Sequence, residues 1–483
     1  MNSPRDEIGS WLDADVQPLP PPPGTFERVS RRARRRKVSR AILAGAGAAV
    51  IVTGLAVSPK IASALLNRPA GQGQSSVAAG STSQAITRPP EPHNNGTPAA
   101  KSASHQPGAP ASLSGTGSGD PVPGNFRPTS VTFVGPTIGA VIGQAGTPGD
   151  CAGGPYCTSL AGTADYGKSW FGVSAPATGA PNGSSGVSQL RFLNTDQGFA
   201  FGPELWTTAN GGAQWSRTPL PAGVRVTDLE TLDGQVFALW ARCAGRGPDF
   251  ASDCTSFSLH TAQVGGPWRR VGGAVSLTAG GTATSASLIL VGGTAPVPAD
   301  ATGYVLAPDR RVLSGKLSDS AWTTAGTAPC APGAARPDGQ PSGGLLAAGS
   351  GELFLLCTDA TTGTQASPQS AGSQVLYASA DGGKTWQRLP AVPDLGTPAS
   401  LAAGAGGLVV VATSEGIEVS RDGGASWRVT LPAAQGPAGG FSYVGMTNTS
   451  HGVAVPAHSG LDEIWFSTNG GRSWQPSPVA GDG

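Results

Sequence analysis

The sequence carries little charge. Charged residues make up 13% of the 483 residues, and the formal net charge is +1. A nucleic-acid-binding domain needs a basic surface that neutralises phosphates. We therefore expect no nucleic-acid partner.

Motifs for catalysis and metal binding are also scarce. The five histidines form no HxH or HExxH pattern, and the cysteines form no CxxC pair. No serine nucleophile elbow or phosphate loop is present either. The sequence predicts neither a cofactor nor a metal site.

Glycine and proline are abundant. Together the 73 glycines and 43 prolines form about a quarter of the chain, a proportion found in all-β proteins with many turns as well as in disordered chains. The excess of Ala, Gly, Pro and Arg indicates high-GC coding, as in actinobacteria. The six cysteines are an even number, which permits three disulfide bonds.

One eight-residue pattern, Ser/Thr-x-Asp/Asn-x-Gly-x-x-Trp, recurs five times, and its copies are called the repeat turns below. Each copy separates two short apolar runs, which predicts a tight turn between strands. The Asp or Asn side chain is expected to bond backbone amides of the turn, and the glycine supplies a positive φ. The Asp/Asn, Gly and Trp positions are Asp165, Gly167 and Trp170; Asn210, Gly212 and Trp215; Asp381, Gly383 and Trp386; Asp422, Gly424 and Trp427; and Asn469, Gly471 and Trp474.

The pattern resembles the Asp-box (BNR) repeat of sialidase-type and photosystem II stability factor-type β-propellers. Two degenerate copies end at Trp268, with Gln263 in the Asp position, and at Trp322. The seven tryptophans then recur about every 50 residues, a spacing that suits one four-stranded blade. The prediction is an all-β, seven-bladed propeller over residues 126–483. In the fourth blade, the two inner strands are predicted at Ser276 to Ala279 and Ser287 to Val291.

The N-terminal part predicts a membrane anchor. Residues 1–40 form a basic tail whose arginine-rich run, Arg31 to Lys37, directly precedes the apolar segment 41–59. Basic residues beside an apolar span stay in the cytoplasm, so 41–59 is predicted as a single transmembrane helix with the N-terminus inside. Because the segment is short and Ala62-Ser63-Ala64 offers a small-residue cleavage site, a cleaved signal peptide remains the alternative.

Residues 60–125 are rich in Pro, Gly, Ser, Thr and Ala. Such a stretch buries too little apolar surface to offset its chain entropy, and we expect a disordered stalk that holds the propeller outside the cell. In the tail, Ile8, Trp11 and Leu12 share one helical face, which allows a docking site for a cytoplasmic protein such as a sigma factor.

The cysteines are expected on one face of the propeller. Strands alternate in direction within a blade, so the loops after the second and fourth strands lie opposite the repeat turns. All six cysteines fall in or beside such loops, and the bonds predicted are Cys151–Cys157, Cys243–Cys254 and Cys330–Cys357, one choice of fifteen. Disulfide bonds fit an oxidising exterior.

The longest insertions lie on the same face, and loops on a rigid scaffold commonly carry binding residues. In the families that the chain resembles, the ligand face also lies away from the Asp boxes. The ligand contacts predicted on this basis are Tyr156, Arg242, Arg246, Asp249 and Phe250.

A sialidase would need an arginine triad and an Arg-Ile-Pro signature, and the nearest string here is Phe126-Arg127-Pro128. Other glycosidases need two carboxylates that flank one bond, and the acidic residues form no such pair in the sequence. The leading hypothesis is a membrane-anchored extracytoplasmic module that binds a protein or a glycan. The alternatives are a glycoside hydrolase with an unrecognised site and a transmembrane regulator whose tail docks a cytoplasmic factor.

Overall fold

The computed structural model describes residues 112–113, 122–145, 157–182, 185–232, 234–243, 254–263, 265–276, 286–291, 301–307, 309–317, 322–330, 344–349, 351–358, 374–458 and 462–480. All of them belong to one compact unit, Arg68–Gly483. The predicted tail and anchor, and the larger part of the stalk, lie outside the described residues. Within the described residues, no helix is long and apolar enough to span a bilayer.

The described strands form seven antiparallel sheets, each built from four consecutive strands. Blade 1 contains β1 (Arg127–Phe133), β2 (Gly139–Ala145), β3 (Cys157–Thr163) and β4 (Phe171–Val173). Blade 2 contains β5 (Gln189–Phe192), β6 (Gly198–Phe201), β7 (Leu205–Thr208) and β8 (Ser216–Thr218). Blade 3 contains β9 (Val224–Leu232), β10 (Gln235–Cys243), β11 (Cys254–Gln263) and β12 (Arg269–Ser276). Blade 4 contains β13 (Ser287–Val291), β14 (Thr302–Leu306), β15 (Arg311–Lys316) and β16 (Thr323–Thr327).

The remaining three blades follow the same order. Blade 5 contains β17 (Leu345–Gly349), β18 (Glu352–Thr358), β19 (Gln374–Ser379) and β20 (Gln387–Arg388). Blade 6 contains β21 (Pro398–Ala403), β22 (Val409–Thr413), β23 (Gly416–Ser420) and β24 (Arg428–Pro432). Blade 7 contains β25 (Phe441–Met446), β26 (Gly452–Pro456), β27 (Glu463–Ser467) and β28 (Gln475–Pro478).

The blades form a closed ring. The first strands of successive blades lie side by side from β1 to β25, and β1 also packs against β26 and β27 of the last blade. The first strand of each blade is therefore the innermost one. The predicted seven-bladed propeller is confirmed, and its ring closes by packing between two blades that are each continuous in sequence.

The fourth blade corrects one prediction. Ser287–Val291 is its innermost strand and pairs with Thr302–Leu306, whereas Ser276 ends the outermost strand of blade 3. The predicted pair of strands thus straddles the boundary between two blades. The error arose because the Gly-rich run Arg269–Ser276 carries no clear strand pattern and was not recognised as the outermost strand of blade 3. Ser287–Val291 was therefore assigned as the second strand of blade 4, although it is the first.

The seven tryptophans occupy equivalent positions. Each directly precedes the outermost strand of its blade. Trp170 and Trp474 are buried, and Trp215, Trp268, Trp322, Trp386 and Trp427 are half-buried. Trp322 keeps this position in the degenerate turn of blade 4, because Gly303 and Gly315 beneath it leave no Cβ in the space of the indole.

The repeat turns share one set of hydrogen bonds. In blade 5, the Ser379 hydroxyl donates to Oδ1 of Asp381 at 2.8 Å and accepts the Gly383 amide at 2.8 Å. Oδ1 of Asp381 also accepts the Thr385 amide, and Oδ2 accepts the Thr385 hydroxyl at 2.6 Å. Gly383 has a φ of 87°, a left-handed conformation that costs glycine little. These bonds hold the pKa of Asp381 at about 2, first through the Thr385 hydroxyl.

Side chains of the innermost strands join neighbouring blades. Ser130 Oγ accepts the Leu190 amide, and Thr132 Oγ1 accepts the Phe192 amide, both at 3.3 Å. Between blades 3 and 4, Oδ2 of Asp228 accepts the Leu288 amide at 2.7 Å. These bonds satisfy backbone donors that the innermost strand, as a sheet edge, would otherwise leave unpaired.

Candidate functional site on the disulfide face

Two of the three predicted disulfide bonds are confirmed. Cys243 at the end of β10 bonds Cys254 at the start of β11, and Cys330 after β16 bonds Cys357 in β18. Cys157 at the start of β3 is disulfide-bonded as well, whereas Cys151 lies outside the described residues. All five described cysteines thus lie on the face opposite the repeat turns, called the disulfide face below.

Of the predicted ligand contacts, only Arg242 is described. It is exposed near the end of β10, one residue before Cys243, and therefore lies on the disulfide face. Its carbonyl oxygen accepts the Thr255 hydroxyl at 3.4 Å. Tyr156, Arg246, Asp249 and Phe250 lie outside the described residues, so their role stays a prediction.

Buried charges lie between the innermost strands of blades 2 and 3. Arg191 in β5 forms an ion pair with Glu230 in β9, with 3.2 Å between NH2 and Oε1. Burial raises the pKa of Glu230 to about 7, against the opposing effect of the Arg191 guanidinium. For Arg191, burial favours a lower pKa, but the charges of Glu230, Tyr443 and Asp228 together outweigh burial and raise the pKa.

Asp228 lies two residues before Glu230 on the same side of β9. Its two oxygens accept the Leu229 and Leu288 amides at 2.8 and 2.7 Å, and burial raises its pKa. Both carboxylates are thus occupied by contacts that join blades. Sequence reasoning missed this cluster, because Arg191 and Glu230 are far apart in the chain and no motif links them.

A third carboxylate, that of Glu204, organises the disulfide face between blades 1 and 2. Oε2 of the buried Glu204 accepts the Thr178 hydroxyl at 2.9 Å and the Trp206 indole N–H at 2.8 Å. Its Oε1 lies 2.9 Å from NH2 of Arg217. Since Gly179 also forms a β-bridge with Cys157, the connection between β4 and β5 is held in place at two points.

Between this connection and strand β3 lies a cavity of about 700 Å³, called the blade-1 pocket below. Cavities of about 300–1,000 Å³ are typical of ligand sites. Its described lining is uncharged and non-aromatic: Leu160, Val173, prolines and alanines alternate with hydroxyls such as those of Thr158 and Thr178. The Thr158 side chain is buried, and its Oγ1 has no hydrogen-bond partner among the described residues.

The described residues contain no cluster of His, Cys, Asp and Glu that could hold a metal ion. The described lining of the blade-1 pocket offers hydroxyls, backbone groups and aliphatic side chains. Such groups can bind and orient a ligand through hydrogen bonds and apolar contact.

No protein-family model and no curated protein matches this sequence. Among solved structures, the chain is similar to "YCF48 bound to D1 peptide", with 14% identity, a TM-score of 0.45 and coverage of 72% of this chain and 95% of that one. It is also similar to YCF48 from Cyanidioschyzon merolae (14%, 0.44, 72% and 98%). A third is Saccharomyces cerevisiae Sqt1 (10%, 0.46, 74% and 87%). The class of this protein, a seven-bladed β-propeller, is defined by its own seven sheets.

Proposed function

We propose that this chain is a non-enzymatic propeller of the Asp-box type that binds a polypeptide segment outside the cell. Residues 41–59 anchor it in the membrane, residues 1–40 remain in the cytoplasm, and the stalk consists of the predicted stretch 60–125 up to Leu113. Leu113 and Val122 themselves are buried in the propeller, which corrects the predicted end of the stalk. The observation that carries the proposal is the blade-1 pocket, which opens on the disulfide face and is held in shape by Glu204 and the Cys157–Gly179 bridge.

The extracytoplasmic location is supported by the cysteines. The Cys330 and Cys357 side chains are fully buried around their bond, and Cys243 and Cys254 pair directly across two neighbouring strands. Stable disulfide bonds of this kind form in oxidising compartments and are rare in the cytosol.

The lining of the pocket favours a polypeptide. Its described residues offer neither an aromatic platform nor a carboxamide for sugar hydroxyls, but small apolar groups beside hydroxyls suit a neutral side chain and the backbone next to it. Burying a polar group without a partner costs about 1–3 kcal/mol. The exposed hydroxyl of Ser185 in the lining can instead hydrogen-bond the ligand backbone without such a cost.

Binding is favoured over glycoside hydrolysis because the three carboxylates buried in blades 2 and 3 already have partners. Glycosidases need two carboxyl groups that face one bond from opposite sides. Here Glu230 pairs with Arg191, Asp228 caps two amides, and Glu204 holds the connection between β4 and β5. Each carboxylate therefore has a role in the fold. A partner for the cytoplasmic tail remains a separate prediction.

The test uses photo-crosslinking in intact cells. A photoreactive amino acid at Ala177, which is exposed at the pocket, should crosslink a protein partner, and the same residue at Lys384 on the repeat-turn face should not. The variant Ser185→Trp places a bulky side chain at an exposed residue of the pocket lining and should weaken the crosslink at Ala177. Equal crosslinking from both faces, or no effect of Ser185→Trp, would refute the proposed site. A phosphatase domain fused after residue 483 should be active only if that end lies outside the cytoplasm.

A further inference from the structure

A second cavity lies on the opposite side of the molecule, at the outer edge between blades 2 and 3. It has a volume of about 490 Å³ and is lined by Phe199, strands β7 and β8, the repeat turn of blade 2 and the degenerate turn of blade 3. We call it the rim cleft. It goes beyond the function proposed above, because it shares no residue with the blade-1 pocket.

The blade-2 turn departs from the shared pattern inside this cleft. In blades 1, 5 and 6 the second carboxylate oxygen accepts a Ser or Thr hydroxyl, and in blade 7 the Asn469 amide donates to Ser473. Blade 2 has Gln214 in place of that Ser or Thr. Oδ1 of Asn210 still accepts the Thr208 hydroxyl and the Gln214 amide, but no described contact uses its Nδ2.

The blade-3 turn departs from the pattern at the same cleft. Gln263 stands in the Asp position, and Pro267 replaces the Ser or Thr before the tryptophan. The Gln263 carbonyl accepts the Gly266 amide at 2.8 Å, while its exposed side chain has no described partner. The departures of two neighbouring turns thus place three carboxamides, from Asn210, Gln214 and Gln263, around one cavity.

An indole forms the apolar wall of the cleft. The Trp268 ring centroid lies 5.8 Å from that of Trp240 and 6.4 Å from that of Phe199. Trp240 is itself stacked on His260, with 3.9 Å between centroids and an angle of 11°. This packing fixes the position of the half-buried Trp268 and provides a rigid platform beside the carboxamides.

We infer that the rim cleft binds a neutral saccharide. A sugar ring presents an apolar C–H face, which suits an indole, and a periphery of hydroxyls that both donate and accept hydrogen bonds. Carboxamides and hydroxyls match that periphery because each also donates and accepts. No described lining residue is charged, so nothing in the cleft selects an anionic sugar.

The test measures sugar binding by the full chain purified in detergent. The probes are pentasaccharides of glucose, mannose, galactose and arabinose, with sialyllactose and trigalacturonate as charged controls, and the readout is calorimetry. A neutral pentasaccharide should bind, and Trp268→Ala should weaken that binding by about tenfold or more. Failure of every neutral probe to bind would overturn the inference.

Two further variants separate binding from folding. Gln214→Ser restores the hydroxyl of the shared pattern in blade 2, and Gln263→Ala removes the exposed carboxamide of blade 3. Both variants should keep the stability of the fold, yet each should weaken sugar binding. The matched control Ser426→Gln places glutamine at the equivalent position of blade 6 and should leave sugar binding unchanged. Full binding by both carboxamide variants would contradict the inference, whereas loss of the Ala177 crosslink bears only on the disulfide face.

Discussion

The hydroxyl of Tyr166 donates a hydrogen bond to the carbonyl oxygen of Gly452, 2.8 Å away and 286 residues further along the chain. The same hydroxyl lies 3.2 Å from the Ser467 carbonyl oxygen. Tyr166 is in blade 1 and both acceptors are in blade 7, so this contact spans the junction at which the ring closes.

Tyr166 occupies a position that is glycine in the other four repeat turns: Gly211, Gly382, Gly423 and Gly470. Its φ of 63° is left-handed, a conformation that costs a bulky residue about 1 kcal/mol or more. The ring is buried against Phe133, Phe466 and His451, at centroid distances of 5.3, 4.9 and 4.8 Å. The aromatic contacts offset the backbone strain. Tyr166 therefore stabilises the junction between blades 1 and 7, where the ring closes.

Replacing Tyr166 should therefore weaken the fold in two distinguishable steps. Tyr166→Phe loses the hydroxyl and should lower the free energy of unfolding by about 1 kcal/mol. Tyr166→Gly relieves the backbone strain but leaves a cavity between blades 1 and 7, and should lower the free energy of unfolding by about 2–4 kcal/mol. Urea unfolding measures both, with Tyr304→Phe as the control because that hydroxyl makes no hydrogen bond to a described residue. An unchanged free energy of unfolding for Tyr166→Gly would show that ring closure does not depend on this side chain.

Removing the disulfide bonds should destabilise the propeller, and more so for the bond that closes the longer loop. Cys330 and Cys357 are separated by 27 residues, and Cys243 and Cys254 by 11. Loop entropy gives about 3.5 kcal/mol for the first bond and about 2.8 kcal/mol for the second. The double variants Cys330→Ser/Cys357→Ser and Cys243→Ser/Cys254→Ser should rank in that order by urea denaturation. The opposite order would show that local packing outweighs chain entropy.

The blades were predictable because each repeats a local signal. A turn with Asp or Asn, a left-handed glycine and a tryptophan needs only eight residues of sequence to be recognised. The first strand of blade 4 was misplaced because the Gly-rich strand before it, Arg269–Ser276, carries no clear strand pattern. The fit of Trp322 could not be predicted either, because the glycines that accommodate its indole, Gly303 and Gly315, lie on other strands.

Contacts between blades were not predictable, because each sheet is packed on both sides. Alternation in Ile417-Glu418-Val419 suggests that Glu418 faces solvent, yet a neighbouring blade covers that side too. Glu418 is fully buried. Glu418 lies two residues before Ser420, the hydroxyl residue that begins the repeat turn of blade 6. The equivalent residues in blades 2, 5 and 7 are aromatic: Trp206, Tyr377 and Trp465. Pairs such as Arg191 with Glu230 escaped prediction for the same reason.

Glu418 should make the stability of the fold depend on pH. Neither carboxylate oxygen has a hydrogen-bond partner among the described residues. Burial, with a smaller contribution from the charge of Asp394, raises the pKa of Glu418 from 4.5 to about 8. The nearby Leu395 amide has a smaller, opposite effect on this pKa, although it is not positioned to form a hydrogen bond with the carboxylate. The folded protein thus holds a proton that the unfolded chain releases between these values. Stability should fall as pH rises from about 4.5 to about 8.

The variant Glu418→Gln keeps the shape and cannot ionise. It should match the wild type near pH 4.5 and exceed it by about 2–4 kcal/mol near pH 8.5. Urea midpoints across this range measure the difference, and Glu415→Gln, at an exposed residue of the adjacent turn, serves as the control. Parallel profiles for Glu418→Gln and the wild type would mean that Glu418 is charged in the folded protein.

The repeat turns should respond to acid in the opposite direction. Hydrogen bonds, above all from the hydroxyl before the tryptophan, hold the pKa of Asp381 and Asp422 at about 2, below the ordinary value of 3.8. The folded state therefore binds these protons less readily than the unfolded chain, and stability should be lost as pH falls from about 4 towards 2.

Asp381→Asn should make this loss of stability smaller, because Asn210 and Asn469 make the same amide contacts without a charge. The reverse change, Asn469→Asp, should steepen it, since Ser467 and Ser473 can donate to the carboxylate as Ser379 and Thr385 do to Asp381. Acid unfolding of the two variants beside the wild type measures both effects, and a shift in the same direction for both would exclude the turn carboxylates as its cause.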